Sequence, residues 1–227
     1  MKNMTKLPRS FLFCAALQIL FFVPASNAAE QTYRIVQPAG HGTGIEFHIP
    51  YSMGTHDGDA HEVTGTVTLD LSNPSSAKGG FKVPIQSLTT GDKTRDCHLM
   101  EAMGLDYTQS KYPNEHICNG VDKIPSDPSN VILYPEIEFK LKSVQLTDGK
   151  VTALDGEWTI RDVTQPVHIP VKVIPEGQGF RVTGTCPISL SAHHIVVKSA
   201  KLLFVTISVE DTVTVDLDLH LAPVAQK

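Results

Sequence analysis

Residues 212 to 221 read TVTVDLDLHL, in which Val213, Val215, Leu217, Leu219 and Leu221 alternate without a break with Thr212, Thr214, Asp216, Asp218 and His220. Successive side chains of a strand point to opposite faces, so an alternation this strict puts one face in an apolar interior and the other in water. A helix cannot satisfy it. The same period runs through HEVTGTVTLDL (61 to 71), with Val63, Gly65, Val67, Leu69 and Leu71 in the apolar phase. Runs of similar character occur at GFKVPIQSL, PEIEFKLKSVQL, KVTALDGEWTI, QPVHIPVKVI, GFRVTGTCPISL and KLLFVTISV, punctuated by SNPSSAKGG, TDGK, RDVTQ and PEGQG. Two-faced strands joined by short turns form antiparallel sheets. Eight or more at this spacing specify an all-β chain, a closed barrel or a sandwich.

One stretch breaks the rhythm. From Thr94 to Met103, Leu99 and Met103 are four apart and Met100 and Met103 three apart, the spacing of one helical face, with Asp96 in the first turn where the helix dipole favours an acid. A short helix among so many strands is expected to cap one end of a barrel. Residues 104 to 130 then carry Gly104, Pro113, Gly120, Pro125 and Pro128 with little periodicity, which predicts a long loop.

The chain opens with Lys2, Lys6 and Arg9 and an apolar run from Phe11 to Val23, followed by Pro24-Ala25-Ser26-Asn27-Ala28-Ala29. A membrane span needs about 20 apolar residues, and this run is shorter. It reads as a signal peptide over 1–28, cleaved near Ala28, which leaves 29–227 as a single domain without a transmembrane segment in a periplasmic or secreted protein. Loss of three basic residues makes the formal net charge of −5 still more negative. An acidic chain repels phosphate backbones, so nucleic acid is not an expected partner. Cys14 leaves with the leader, and Cys97, Cys118 and Cys186 remain where disulfides can form. Three thiols allow one internal bridge. Cys97 with Cys118, which flank the helix and loop, is one pairing, and Cys118 with Cys186 is the rival.

The residues that could carry chemistry do not assemble into a site. Arg95 and Asp96 are adjacent, so on a helix they point about 100° apart, and they read as anchors of the helix more readily than as a polar clamp. His98 has no evident partner for general-base work. His193 and His194 are consecutive and face opposite sides of a strand; His41 with His48, and His56 with His61 around DGDA, lack the spacing of a zinc site. No nucleophile elbow, dinucleotide fingerprint or phosphate loop is present, and Asp106, Glu136 and Glu157 are scattered. No catalytic residue, cofactor or metal-ligand set is assigned.

Three stretches together resemble the YceI-like family of exported lipid-binding proteins. SLTTGDKTRDCHL (Ser87 to Leu99) is similar to the family's strand end running into Arg-Asp-x-His-Leu at a short helix. YPEIEFKLKSVQL (Tyr134 to Leu146) is similar to its Tyr-Pro-x-Ile-x-Phe strand, and LDGEWTIRDVTQPVHIPVKV (Leu154 to Val173) to its Gly-x-Leu-Thr-x-x-Gly-Val-Thr-x-Pro-Val strand pair. The resemblance extends over about residues 31 to 222. Three departures stand out, the first being that TIRDVTQ has Arg161-Asp162 where a leucine-glycine-like pair is typical. A second Tyr-Pro (Tyr112, Pro113) and an inserted loop at about 108–131 with Cys118 precede the Tyr-Pro strand, and SLSAHHI (Ser189 to Ile195) replaces the usual Ser-x-Arg-x-x-Phe-Gly.

What the resemblance implies is a lipocalin-like antiparallel β-barrel of about eight strands, a short helix capping one end, whose hollow lumen holds a long isoprenoid or other acyl chain and performs no chemistry on it. The tail would lie inside and the head near the lid. From strand parity, the expected lining is Val67, Leu69, Phe81, Val83, Ile85, Phe139 and Trp158, with Leu99, Met100 and Met103 closing one end and Arg95, Asp96 and His98 at the rim. A homodimer is left open. The contrasting reading is a barrel filled by its own side chains, acting as a protein-interaction or stress-response domain.

Overall fold

The computed structural model describes residues 30–37, 44–106, 118, 131–197, 199–202 and 205–225. The expected leader, His41 and nearly all of the inserted stretch lie outside them. The strands are β1 (Gln31–Val36), β2 (Ile45–Tyr51), β3 (Gly54–Ala60), β4 (Thr64–Asp70), β5 (Asn73–Pro84) and β6 (Leu88–Thr89), followed by the helix α1 (Lys93–Ala102). Then come β7 (Leu105–Asp106), β8 (Val131–Ile132), β9 (Glu136–Thr147), β10 (Lys150–Ile160), β11 (Val163–Glu176), β12 (Gly179–Ser189), β13 (Ala200–Leu202), β14 (Val205–Ile207) and β15 (Thr212–Pro223).

Eight strands close on themselves in the order β1-β4-β5-β9-β10-β11-β12-β15, with β15 returning to β1, and every neighbour pairs antiparallel. Closure removes the free edges that an open sheet would expose. Along its edge opposite β12, the long strand β15 serves two partners: Leu221 and His220 pair with Ile35 and Val36 of β1, whereas Thr214 to Leu217 pair with β2, which continues to β3 and β6. The alternation of β15 is realised as read, because Val213, Val215, Leu217 and Leu219 are all buried inward. Each such aliphatic side chain contributes about 1.5–3 kcal/mol when withdrawn from water.

Turn chemistry sets the hairpins. Asp148 and Gly149 join β9 to β10 with φ of 51° and 74°, and Arg161 and Asp162 join β10 to β11 with φ of 50° and 59°. Two consecutive left-handed residues make the tight turn whose twist matches that of the flanking strands.

Two expectations are corrected. SNPSSAKGG is not a hairpin connection: β5 begins at Asn73, and the turn is Leu71-Ser72. Its small residues belong to the barrel wall, where a Cβ on Gly79 would meet the Thr66 carbonyl oxygen at 2.1 Å and one on Gly80 the Phe139 carbonyl oxygen at 2.0 Å. KLLFVTISV is not a barrel strand but forms the separate hairpin β13–β14. The segment around DGDA is strand β3, paired with β2 despite the turn preference of Gly and Asp. Strands β1 to β3 went unread in the sequence, although Ile45, Phe47 and Ile49 alternate with Glu46 and His48.

Candidate functional site

The inward side chains enclose two cavities stacked inside the barrel. The outer one, about 180 Å³, lies towards the turns 71–72, 148–149 and 177–178, and is walled by Val67, Leu69, Ala77, Phe139, Leu154 and Val182 among others. Leu71 both lines it and is 57% exposed, so this cavity reaches solvent at the β4–β5 turn. The inner one, about 100 Å³, lies under α1 and is walled by Phe47, Val83, Leu99, Met103, Trp158 and Val215 among others. Every lining residue of both is apolar or glycine, and the two share none.

A row of aromatics stands where they meet. Phe81, Phe139 and Trp158 are cross-strand neighbours on β5, β9 and β10, their ring centroids 5.1 to 5.3 Å apart, with Phe81 and Trp158 edge to face. Aromatic pairs in such geometries add about 0.5–1.5 kcal/mol each beyond their buried area. The expected hollow lumen is thus two chambers that meet at this waist.

Of the expected lining, Val67, Leu69, Phe81 and Phe139 wall the outer chamber, and Val83, Trp158, Leu99 and Met103 the inner one. Ile85 and Met100 line neither. Ile85 is buried but opens a one-turn 3-10 helix after β5, which ends the strand parity. Met100 lies on the flank of α1 that also packs against Cys97, Leu105 and Cys118. Sequence reasoning missed Phe180 and Val182 of β12 and Ile45 and Phe47 of β2, although all four sit in an apolar-polar alternation.

The helix is held over the inner end by polar contacts. Asp92 caps it by accepting the Arg95 backbone N–H at 2.9 Å, and Asp96 lies in its first turn. Asp96 accepts from the Thr89 hydroxyl at 2.7 Å and from the Thr90 N–H and hydroxyl, both at 2.6 Å, tying α1 to β6. Arg95 donates to His56 Nδ1 at 2.7 Å, and the His56 ring stacks on Tyr51. Burial, then the Arg95 charge, lowers the His56 pKa. Arg95 and Asp96 thus act as anchors. His98 contacts Glu101 at 3.2 Å on the outer side of the helix. Behind it, Cys97 and Cys118 are joined by a disulfide.

His98, Glu101 and Cys118 bring ligand atoms within 4.8 Å of one another. The sulfur of Cys118 is committed to the disulfide, which leaves no thiolate for a metal. Cys186 is the free cysteine among the described residues; it is buried, and burial pushes its thiol up to about 11. The paired histidines lie not in a strand but at the end of the 3-10 turn Ser191–His193. His193 is buried and held to the Val163 carbonyl at 3.0 Å, its pKa lowered chiefly by burial, while His194 takes a left-handed conformation (φ 56°) and is exposed. Arg161 donates to the His194 carbonyl and lies over the Tyr134 ring.

The family comparison follows this architecture. The YceI-like domain matches residues 36–117 and 122–221. The chain belongs to the YceI-like family. A UPF0312 protein of Pectobacterium carotovorum is 26% identical over 190 residues, covering 79% of this chain and 83% of its own. Among solved structures, Burkholderia cenocepacia BcnA superposes with a TM-score of 0.55 at 16% identity, over 78% of this chain and 93% of its own. A polyisoprenoid binding domain from Saccharophagus degradans superposes at 0.52 and 9% identity, over 85% and 99%. These two likenesses show the family's barrel fold.

Proposed function

We propose that this protein is an exported carrier or store for a long isoprenoid or acyl chain, held in the barrel lumen without chemical change. The observation that carries the reading is the lining: two cavities inside one closed barrel, with no polar residue facing either. A hydrocarbon chain gains about 0.8 kcal/mol per methylene taken from water, so such walls suffice for tight binding without a specific polar contact. The polyisoprenoid binding domain from Saccharophagus degradans, which shares the fold, supports the same reading. Residues 1–28 act as the leader in this proposal and deliver the mature chain to the periplasm or the exterior.

A chain that fills both chambers passes the Phe139–Trp158 junction, so the waist opens on loading. Native mass spectrometry of the full chain expressed and purified without detergent tests the proposal. The expected result is a bound hydrophobic mass that disappears on organic extraction and returns on incubation with a long-chain lipid. A protein that is empty and stays empty supports the side-chain-filled interaction domain instead.

A further inference from the structure

Helix α1 has two working faces. Leu99 and Met103 line the inner chamber, whereas Cys97, His98 and Glu101 fall within an arc of about 100° on the opposite side, at 3.6 residues per turn. Cys118, from the inserted stretch that sets this chain apart from the family pattern, closes over that arc. His98, Glu101 and Cys118 bring ligand atoms within 4.8 Å of one another, and the sulfur of Cys97 is bonded to that of Cys118. Two sulfurs, an imidazole and a carboxylate therefore converge on one point. They are the ligand types, and the number, of a tetrahedral zinc centre.

The fit is close in size and setting. With bonds of about 2.0–2.3 Å, a tetrahedral ion holds its ligand atoms roughly 3.3–3.8 Å apart, so these donors need to contract only a little. The His98 side chain is 44% exposed and free to swing, whereas that of Glu101 is 11% exposed. Cys97 and Cys118 are buried, with Leu105, Met100 and Ile132 packed around them. An apolar shell of this kind limits water at the metal and strengthens its bonds to charged ligands. As long as the bridge is intact, neither sulfur is a thiolate and no ion is held. Reduction changes that. A dithiol passes two electrons and two protons to the bridge, becoming a disulfide itself, and leaves the thiols of Cys97 and Cys118. Each thiol gives up its proton on taking the metal, while His98 binds through a neutral ring nitrogen and Glu101 through its carboxylate.

From this convergence we infer that the Cys97–Cys118 bridge is a redox gate over a metal site: once it is reduced, Cys97, His98, Glu101 and Cys118 bind one divalent ion of the zinc class, and reoxidation expels it. The bridge and the ion are alternative braces for the same helix, so α1 keeps its place over the inner chamber in both states. The inference is independent of the carrier reading, because none of the four residues lines either chamber.

The test titrates Zn²⁺ into the full mature chain before and after reduction by a phosphine, which ends as the phosphine oxide and brings no thiol to compete for the metal. The expected result is one ion per reduced chain, with no ion of comparable affinity on the oxidised chain. Binding at about pH 7 should release about two protons, since free thiols titrate near pH 8.5. Loss of a group that merely supports a ligand costs about 10–100-fold in metal affinity, so His98→Gln and Glu101→Gln are each expected to weaken Zn²⁺ by at least that much. Equal binding by the oxidised chain, no binding by the reduced one, or an affinity unchanged by either substitution overturns the inference. Where reduction itself unfolds the chain, Zn²⁺ is expected to restore the circular dichroism of the barrel, because an ion held only by the folded state stabilises it. A reduced chain that stays unfolded with Zn²⁺ present overturns the inference as well.

Discussion

At the outer end of the barrel, strands pass into their neighbours through two-residue turns, and the cavity there opens past Leu71. At the inner end one two-residue turn, Arg161-Asp162, joins β10 to β11, but elsewhere the chain leaves the barrel and returns: the 3-10 turn after β5, β6, α1, β7–β8 and the hairpin β13–β14 all lie between barrel strands. Contacts at the first end are local in sequence, as in Asp148-Gly149. Those at the second are, outside the Arg161-Asp162 turn, distant, such as Ile85 N–H to the Pro135 carbonyl at 2.9 Å and Leu190 N–H to the Asp211 carbonyl at 2.8 Å. The difference teaches that the open end is specified by turn chemistry, whereas the closed end is assembled from parts that acquire their places only when the barrel exists.

The harshest way to break this comparison is to remove the waist that separates the two chambers. Phe139→Ala deletes a buried ring at their junction and is expected to cost about 3–5 kcal/mol, measured by urea denaturation. Because the enlarged void is apolar, an added alkane should restore part of the loss. A cost below about 1 kcal/mol, within the range of ordinary surface changes, would show that the waist is not packed and that the lumen is one space.

A second change separates the ends by their tethers. Cys97→Ser with Cys118→Ser removes a bridge that spans 21 residues and braces α1. The chain-entropy cost is about 3 kcal/mol. Amide exchange should rise in α1 while the β9–β10 hairpin stays protected. Equal acceleration of both would mean that the ends unfold as one unit, and the contrast would be lost.

The smallest effect lies on the outer surface. His48 of β2 contacts Asp57 of β3 at 2.7 Å and Asp216 of β15 at 3.0 Å. The Asp57 hydrogen bond raises its pKa above 6.5, against an opposing effect of burial. A raised folded-state value means that the stabilisation is complete below about pH 6.5 and fades as pH climbs through the folded-state pKa. His48→Gln should therefore lower the melting temperature slightly at about pH 6 and hardly at all at about pH 8.5, where the imidazole of the parent is neutral. A difference that grows with pH instead would contradict this linkage. The site is partly solvated, so the effect remains small.

The same contrast explains what could be read from the sequence. Alternation revealed β4, β9 to β12 and β15, because period two is a local property, and it was equally present at Ile45, Phe47 and Ile49. Strand β5 was half misread because Pro74, Ala77, Gly79 and Gly80 carry the composition of a turn, and the reason for small residues there, close approach to β4 and β9, is a tertiary fact. That Ile85 and Met100 line neither chamber is likewise a tertiary fact: no periodicity announces that a strand stops at Pro84 or that one flank of a helix faces a disulfide. The waist itself was present as Phe81, Phe139 and Trp158. Register alone brings them side by side, and register between strands some twenty to sixty residues apart leaves no mark in any one stretch.

The burial of Cys186 bears on the order of events during maturation. Three sulfurs among the described residues offer three pairings, yet a chain that forms its barrel first hides one of them, and a thiol with so high a pKa supplies almost no thiolate for exchange. Oxidation that follows closure has a single product. The barrel in this way proofreads its own bridge, and a chain oxidised before it closes forfeits that check.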